Sequence, residues 1–343
     1  MQEADTAAHP RHLSHVTAGW LTTCLQAHGV NATVGSFEAR QIGEGVGQMA
    51  TLNRLVLTYS AGSGPASLVV KFPGTMEANM VIAKQFGLFR REVEFYRVAA
   101  PRTSMTLPVV YAAELDPDEQ FVLLMEDLGH MTTGDQVVGI SPSAAEPAID
   151  ELVLLHAPFW NAVDTPEFAF APRVDAAGQA DVMESIATAC WGTMSTVHAG
   201  AVPAFMEDVR ERYLAALPAM HRWLGAGPIT LIHSDYRLDN LMFQSPAGGY
   251  PVAAVDWQTP GQGPASADVA YFMGAGPLPD DRRAMERGLV HDSLEALSGY
   301  GVTVDEAEFF RHYARDAFGG VIMSVVASRS EEHTSELQSH LNL

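Results

Sequence analysis

His233-Ser234-Asp235-Tyr236-Arg237-Leu238-Asp239-Asn240 is the stretch on which the reading of this chain turns. It has the form H-x-D-x-x-x-x-N, and Asp256 follows 16 residues after Asn240, at the end of the apolar run Val252–Val255. A carboxylate, a carboxamide and a second carboxylate at this spacing are what phosphoryl transfer requires. One takes the proton of the acceptor hydroxyl, and the other two hold Mg²⁺ against the phosphates. A short loop turns Asp235 and Asn240 toward one cleft, and a hairpin would bring Asp256 back beside them. Two rival readings of the same letters fail. Side chains of adjacent residues diverge, whereas the members of a hydrolase triad must hydrogen-bond in turn, and no G-x-S-x-G elbow occurs. A metal hydrolase built on His233 and Asp235 lacks an H-E-x-x-H partner. His233 itself reads as a buried histidine that braces the loop.

Working toward the N-terminus, Phe121-Val122-Leu123-Leu124-Met125-Glu126-Asp127-Leu128-Gly129 reads as an apolar strand running into a short linker. Backbone groups at Glu126 and Leu128 could meet the edge of an adenine, with Met125 behind it. Lys71 lies inside the apolar strand Leu68–Phe72, where an ammonium is costly unless paired. Phosphate oxygens and a helix carboxylate would pair it. Glu92 stands three and four residues before Phe95 and Tyr96 and shares their inward face, so it is preferred to Glu94. Gly43-Glu44-Gly45-Val46-Gly47 sits between two predicted strands, and Gly43, Gly45 and Gly47 would let backbone amides approach phosphate. No G-K-[ST] follows, so this is not a Walker loop. Each feature alone has a bland explanation, respectively a core strand, a lysine reaching out from an edge, and a hairpin turn. Their order along the chain is that of a kinase.

The surrounding elements place these residues. Residues 1–30 form a helical lead-in. Thr51–Tyr59 and Ala66–Phe72 are strands of an antiparallel meander, joined through Gly62-Ser63-Gly64-Pro65. One helix is predicted from about Met76 to Ala100, ended by Pro101, with Phe86, Phe89, Val93 and Tyr96 as its apolar stripe. Val109–Leu115 and Gln120–Met125 follow as strands around the turn Asp116–Glu119. Beyond Glu126 the pattern is mostly helical, with a short β-rich insert at 229–257. The division is a β-rich lobe over 1–125 and a helical lobe over 126–328. Arg329–His340 reads RSEEHTSELQSH, the in-frame translation of a common sequencing-adapter oligonucleotide, and 329–343 is set apart as a tail foreign to the fold.

Composition limits the remaining options. The 343 residues are 47% hydrophobic and 18% charged, which suits a globular chain of two domains or lobes. Twenty basic residues against 41 acidic ones give a net charge of −21, which repels a nucleic-acid backbone. No apolar run has the length of a membrane span, and Met1–Asp5 lacks the features of a secretory signal. Cys24 and Cys190 are too few for a disulfide framework or a zinc quartet. A soluble cytoplasmic protein is expected, with no membrane, nucleic-acid or obligate protein partner.

With these residues in hand, the chain resembles the aminoglycoside-phosphotransferase and choline-kinase superfamily. More narrowly it is similar to the ecdysteroid-kinase-like branch and its bacterial relatives. GEGVGQMATLNRLVLTY, SLVVKFPG, REVEFYR, FVLLMEDLG, LLHAPFW, HSDYRLDNLMF and VDWQTPGQGPASADVAYF carry the resemblance, over residues 43–273. It implies an α+β, bilobal protein-kinase-like fold, with an antiparallel N-lobe sheet carrying one main helix and a mostly helical C-lobe. ATP and Mg²⁺ are expected between the lobes. Asp235 would be the catalytic base, Asn240 and Asp256 the metal ligands, Lys71 the contact to the α- and β-phosphates, and Glu92 its partner. Asp268 matches an aspartate that braces the catalytic loop. Ser234 stands where many relatives have Gly, and Trp257-Gln258 where protein kinases have Phe-Gly. Only a dozen residues part Asp256 from Asp268 and no A-P-E follows, so there is no room for a long activation loop. The expected acceptor is therefore a small hydroxylated molecule. A catalytically silent nucleotide-binding module is the alternative, and transfer of AMP by the same fold is a third possibility.

Overall fold

A computed structural model of the chain describes residues 9–43, 49–197 and 204–327. It divides into two compact units. One runs to Pro101 and takes in Leu107–His130, and the other takes Arg102–Thr106 and the described chain from Met131 onward. The proposed tail, 329–343, lies outside the described residues.

The first unit is a five-stranded antiparallel sheet in the order β1-β2-β3-β5-β4, formed by Ala32–Ile42, Ala50–Gly62, Ser67–Pro73, Val110–Leu115 and Phe121–Glu126 in chain order. Period-two alternation sends Leu68, Val70 and Phe72 of β3 and Val122 and Leu124 of β5 to one face. There they bury against Leu21, Cys24 and Leu25 of α1, Ala18–Ala27. Thr17 caps α1 by accepting from the Trp20 amide at 3.1 Å. On the opposite face Phe121 meets Phe89, with ring centroids 4.7 Å apart. β3 pairs with both β2 and β5, so it is an interior strand buried on both faces.

The single helix expected from Met76 to Ala100 is in fact broken. α2 spans Glu77–Phe86 and α3 spans Leu88–Glu94, and a π-helical turn over Phe95–Ala99 follows. The break is at Gly87, whose φ of +64° closes α2 as a left-handed cap. The apolar stripe survives it, since Phe89, Val93 and Tyr96 are buried.

The second unit is mostly helical. Its helices are α4 (Pro142–His156), α5 (Gln179–Val197), α6 (Ala204–Leu224), α7 (Ala265–Ala275), α8 (Pro279–Gly299), α9 (Glu306–Asp316) and α10 (Phe318–Ala327). α5, α6 and α10 share a core of Trp191, Met194, Tyr213, Leu217, Ile322 and Val325. Two small antiparallel sheets carry the predicted β-rich insert. β7 (Thr230–Ile232) pairs with β10 (Gly261–Gly263), and β6 (Thr132–Thr133) pairs with β8 (Leu241–Ser245), which pairs with β9 (Gly248–Ala254). The excursion Arg102–Thr106 is held in this unit by Glu151, which accepts from the Thr106 amide and, at 2.7 Å, from its hydroxyl. Thr106 in turn accepts from the Ala254 amide at 3.1 Å. Among the described residues no helix is long and apolar enough to cross a membrane.

β6 lies tight against the segment that precedes β8. A Cβ on Gly134 would stand 2.5 Å from the Leu238 carbonyl oxygen, a backbone atom that cannot swing aside. Gly134→Ala is expected to lower stability by about 1–3 kcal/mol, measured by urea denaturation. An unchanged midpoint would show that this contact is looser than the packing implies.

Candidate functional site

In the second unit the chain leaves β7 and makes a tight loop through His233–Asn240. Ser234 has φ +66°, a left-handed conformation that favours glycine. Asp268, in the first turn of α7, holds the loop. Its Oδ2 accepts from the His233 amide at 2.8 Å, and its Oδ1 accepts from the Ser234 amide at 2.9 Å. His156 Nε2 lies 3.0 Å from the same Oδ2. The His233 ring donates from Nε2 to the Val255 carbonyl at 3.1 Å and accepts at Nδ1 from the Asp235 amide at 3.3 Å. A carbonyl can only accept and an amide N–H can only donate, so these partners define the tautomer. His233 is fully buried and braces the loop.

Asp235 is half-buried and held on both oxygens. Asn240 Nδ2 donates to its Oδ2 at 2.8 Å and to its backbone carbonyl at 2.9 Å. Tyr271 donates its hydroxyl to Oδ1 at 3.2 Å, and Arg237 Nε lies 3.3 Å from Oδ1. Two oxygens facing Nδ2 settle the orientation of the Asn240 carboxamide and turn its Oδ1 the other way. The hairpin β8–β9 places Leu241 opposite Ala254, and one step further the Val255 amide donates to the Asn240 carbonyl at 3.0 Å. Asp256 is the next residue and has φ +64°. Trp257 is fully buried, with its ring 4.4 Å from that of His233.

In the first unit Lys71 is 5% exposed and Glu92 1%. Lys71 Nζ donates to Glu92 Oε1 at 2.7 Å. Glu94 instead pairs with Arg97 at the surface. An interior strand cannot let a lysine reach around an edge, so the burial of Lys71 depends on its carboxylate. Gly43 is exposed, with φ +69°, just past β1, while Gly45 and Gly47 lie outside the described residues.

At the end of β5, Met125 is buried between Val69 and Val110. The Glu126 amide is already donated to the Val109 carbonyl at 2.7 Å, which removes it as a donor to a ligand. The Leu128 amide has no hydrogen-bond partner among the described residues. Asp127 fixes this segment, accepting from Ser67 Oγ at 2.6 Å, the Gly129 amide at 2.9 Å and Arg54 Nη2 at 3.1 Å. Partial burial alone would raise the Asp127 pKa, but hydrogen bonds from Ser67, Arg54 and Gly129 outweigh it and hold the group below its ordinary value.

The profile of the phosphotransferase enzyme family matches residues 55–301, well over half of the chain. The chain belongs to that family. Solved structures extend the likeness in fold over most of the chain. A candidate aminoglycoside phosphotransferase from Ralstonia eutropha JMP134 is 17% identical with a TM-score of 0.58, covering 95% of this chain and 97% of that one. Choline kinase from Cryptosporidium parvum is 10% identical with a TM-score of 0.57, covering 89% and 87%. An aminoglycoside 2'-phosphotransferase solved with GDP is 13% identical with a TM-score of 0.53, covering 95% and 97%. Among curated proteins, mouse acyl-CoA dehydrogenase family member 10 is 32% identical over 120 residues, 33% of this chain. The match spans 11% of that mouse protein's length.

Several residues around these groups escaped the sequence reading. His156, Tyr271, Gln136 and the Arg54–Ser67–Asp127 cluster were given no role, and only the folded chain brings them to their partners. The large aromatic residues of this unit divide. Phe159, Trp191 and Tyr236 are core, whereas Trp223 is 51% exposed beneath the Arg315 guanidinium.

Two expectations follow for this family member. Asp268→Asn puts an NH₂ where a carboxylate oxygen accepts, so a donor faces a donor in a dry site. A loss of about 2–4 kcal/mol is expected, read by chemical denaturation, and a neutral result would remove Asp268 as the brace. Asp127 titrates in the folded chain below the ordinary value of 3.8, so its contribution is complete above that pH and fades as pH falls through the depressed value. The stability advantage of wild type over Asp127→Asn should therefore be flat at neutral pH and shrink below about pH 4, checked by thermal melts across pH.

Proposed function

We propose that this phosphotransferase moves the γ-phosphoryl group of ATP to a hydroxyl of a small molecule, with Asp235 as the base. The observation that carries the reading is the grip on Asp235. Asn240 ties down one carboxylate oxygen, and the loop that presents the other is held in a strained conformation by Asp268. Strain of this kind persists where the surrounding structure over-determines it, and it gathers at functional sites.

The residues also suit a magnesium ion. The carboxamide of Asn240 has its Oδ1 turned away from Asp235, and Asp256 supplies a carboxylate one residue past the hairpin partner of Asn240. Both are hard oxygen donors of the kind Mg²⁺ accepts. Bound Mg²⁺-ATP supplies the phosphoryl group and the neutralising charge. In this reading Lys71, kept charged by Glu92, meets the α- and β-phosphates, and the Leu128 amide donates to the adenine edge beside Met125 and Glu126. Gly43, Gly45 and Gly47 form the backbone cradle for phosphate. Asp235 takes the proton as the acceptor oxygen bonds to phosphorus. The bond from phosphorus to the β–γ bridging oxygen breaks, and its electron pair stays on ADP. The proposed setting is the cytoplasm, with a small hydroxylated acceptor and no nucleic-acid, membrane or obligate protein partner.

The test is Mg²⁺-ATP-dependent ADP release across aminoglycosides, macrolides, amino alcohols, sterols and sugars, with Mg²⁺-GTP run in parallel. Asp235→Asn should lose about 10³-fold in turnover while binding Mg²⁺-ADP as wild type does. Asp256→Ala should lose Mg²⁺-dependent nucleotide binding. Full turnover by Asp235→Asn would end the base assignment, and nucleotide binding without any acceptor-dependent ADP would favour the silent module.

A further inference from the structure

α7 meets the loop His233–Asn240 at two points. Asp268 and Tyr271 stand three residues apart and so share one face of the helix. Asp268 holds the backbone of the loop, and Tyr271 reaches the side chain that the backbone delivers. The Tyr271 hydroxyl donates to Asp235 Oδ1 at 3.2 Å. At this length the bond is longer than usual between two oxygens and has room to tighten when ligands assemble. Tyr271 is 8% exposed. The next residue, Phe272, is fully buried against Tyr236 of the same loop, with ring centroids 5.8 Å apart. Packing of the helix on the loop thus sets where the phenol stands.

The torsion that turns an aspartate carboxylate about its Cβ–Cγ bond is broad and roughly two-fold. An oxygen of Asp235 is therefore poorly aimed unless the plane of the group is held. Asn240 Nδ2 donates to Oδ2 at 2.8 Å. Arg237 Nε lies 3.3 Å from Oδ1 and 3.4 Å from Oδ2, so it adds positive charge without distinguishing the two. Tyr271 grips Oδ1 from a different element. One donor on each oxygen fixes the plane, and positioning is most of what a protein contributes to phosphoryl transfer.

We propose that Tyr271 is a positioning residue for the transfer, which holds Asp235 Oδ1 in line with the acceptor hydroxyl. It acts through the carboxylate and touches neither nucleotide nor acceptor. The inference rests on the assignment of Asp235 as the base.

Tyr271→Phe removes one oxygen and keeps the ring. With the acceptor that wild type uses best, we expect kcat to fall about tenfold. The KM values for acceptor and for Mg²⁺-ATP should each stay within about twofold. In the Asp235→Asn background the same substitution should cause no further loss in single-turnover rate, because residues that act as a unit are not additive. An unchanged kcat in Tyr271→Phe, whatever the melting temperature, overturns the inference and leaves the phosphotransferase intact. So does a raised acceptor KM with kcat preserved, which would put the hydroxyl on the acceptor itself. A further tenfold loss in Asp235→Asn also overturns it, since the phenol would then act independently of the carboxylate. A wild-type chain that binds Mg²⁺-ADP yet turns over no acceptor overturns the parent reading, and this inference with it.

Discussion

Asp268 has no solvent exposure, and a carboxylate taken out of water must be repaid by donors. It finds three, the His233 and Ser234 amides and the His156 ring, and it sits in the first turn of α7, where the helix dipole favours negative charge. The rest of the second unit's site depends on this. Two consecutive amides can point at one carboxylate only if the backbone turns sharply between them, which accounts for the left-handed Ser234. That turn delivers Asp235, and Asn240 five residues on reaches back to it. The brace is itself anchored, since His156 closes α4 and its carbonyl accepts from Thr230 of β7 at 2.7 Å. Helix, strand and loop are therefore tied at a single buried charge.

The first unit meets the same constraint with opposite sign. Lys71 stands on the middle strand of the sheet and is only 5% exposed, so its ammonium meets little water. Removing either partner of such a pair is far more damaging than replacing both, because the survivor is left charged and dry. The pairing explains why α3 runs where it does. Phe89, Glu92 and Val93 fall on one face, so the helix that seals the apolar side of the sheet also brings the carboxylate to the lysine. Asp127 repeats the device at the end of β5 with Arg54 and Ser67, and thereby fixes the backbone around Leu128.

The loop His233–Asn240 was legible because phosphoryl transfer restricts residue types at fixed short spacing, and short spacing survives in a linear text. Lys71 was legible as a charge out of place in an apolar strand, and Glu92 through helical periodicity. The residues that escaped detection act across long separations. Arg54 and Asp127 are 73 positions apart, and Gln136 and Arg237 are 101 apart. No spacing rule connects such pairs before the fold does. The broken helix failed for a different reason. A glycine between two apolar stripes reads as a tolerated interior residue, and only its positive φ shows that the chain turns there. That the Glu126 amide is taken by the Val109 carbonyl was likewise invisible, because a strand end on paper does not show which neighbour still pairs with it.

Two of the four described non-glycine residues with positive φ are Ser234 and Asp256. Conformations of this kind cost about 1–3 kcal/mol each, so something must hold both. They are linked through one side chain. The His233 ring accepts from the Asp235 amide, donates to the carbonyl of Val255, and packs on Trp257. One face of the imidazole system thus addresses the residue after Ser234, and the other addresses both neighbours of Asp256. The separation between the loop that carries Asp235 and the turn that carries Asp256 is set by the width of that ring. A histidine suits this because it is rigid, and its two nitrogens can accept from one strained segment while donating to the other. Its place at the head of the motif is then explained without any proton passing through it, and the chemistry falls to the carboxylates that it holds apart.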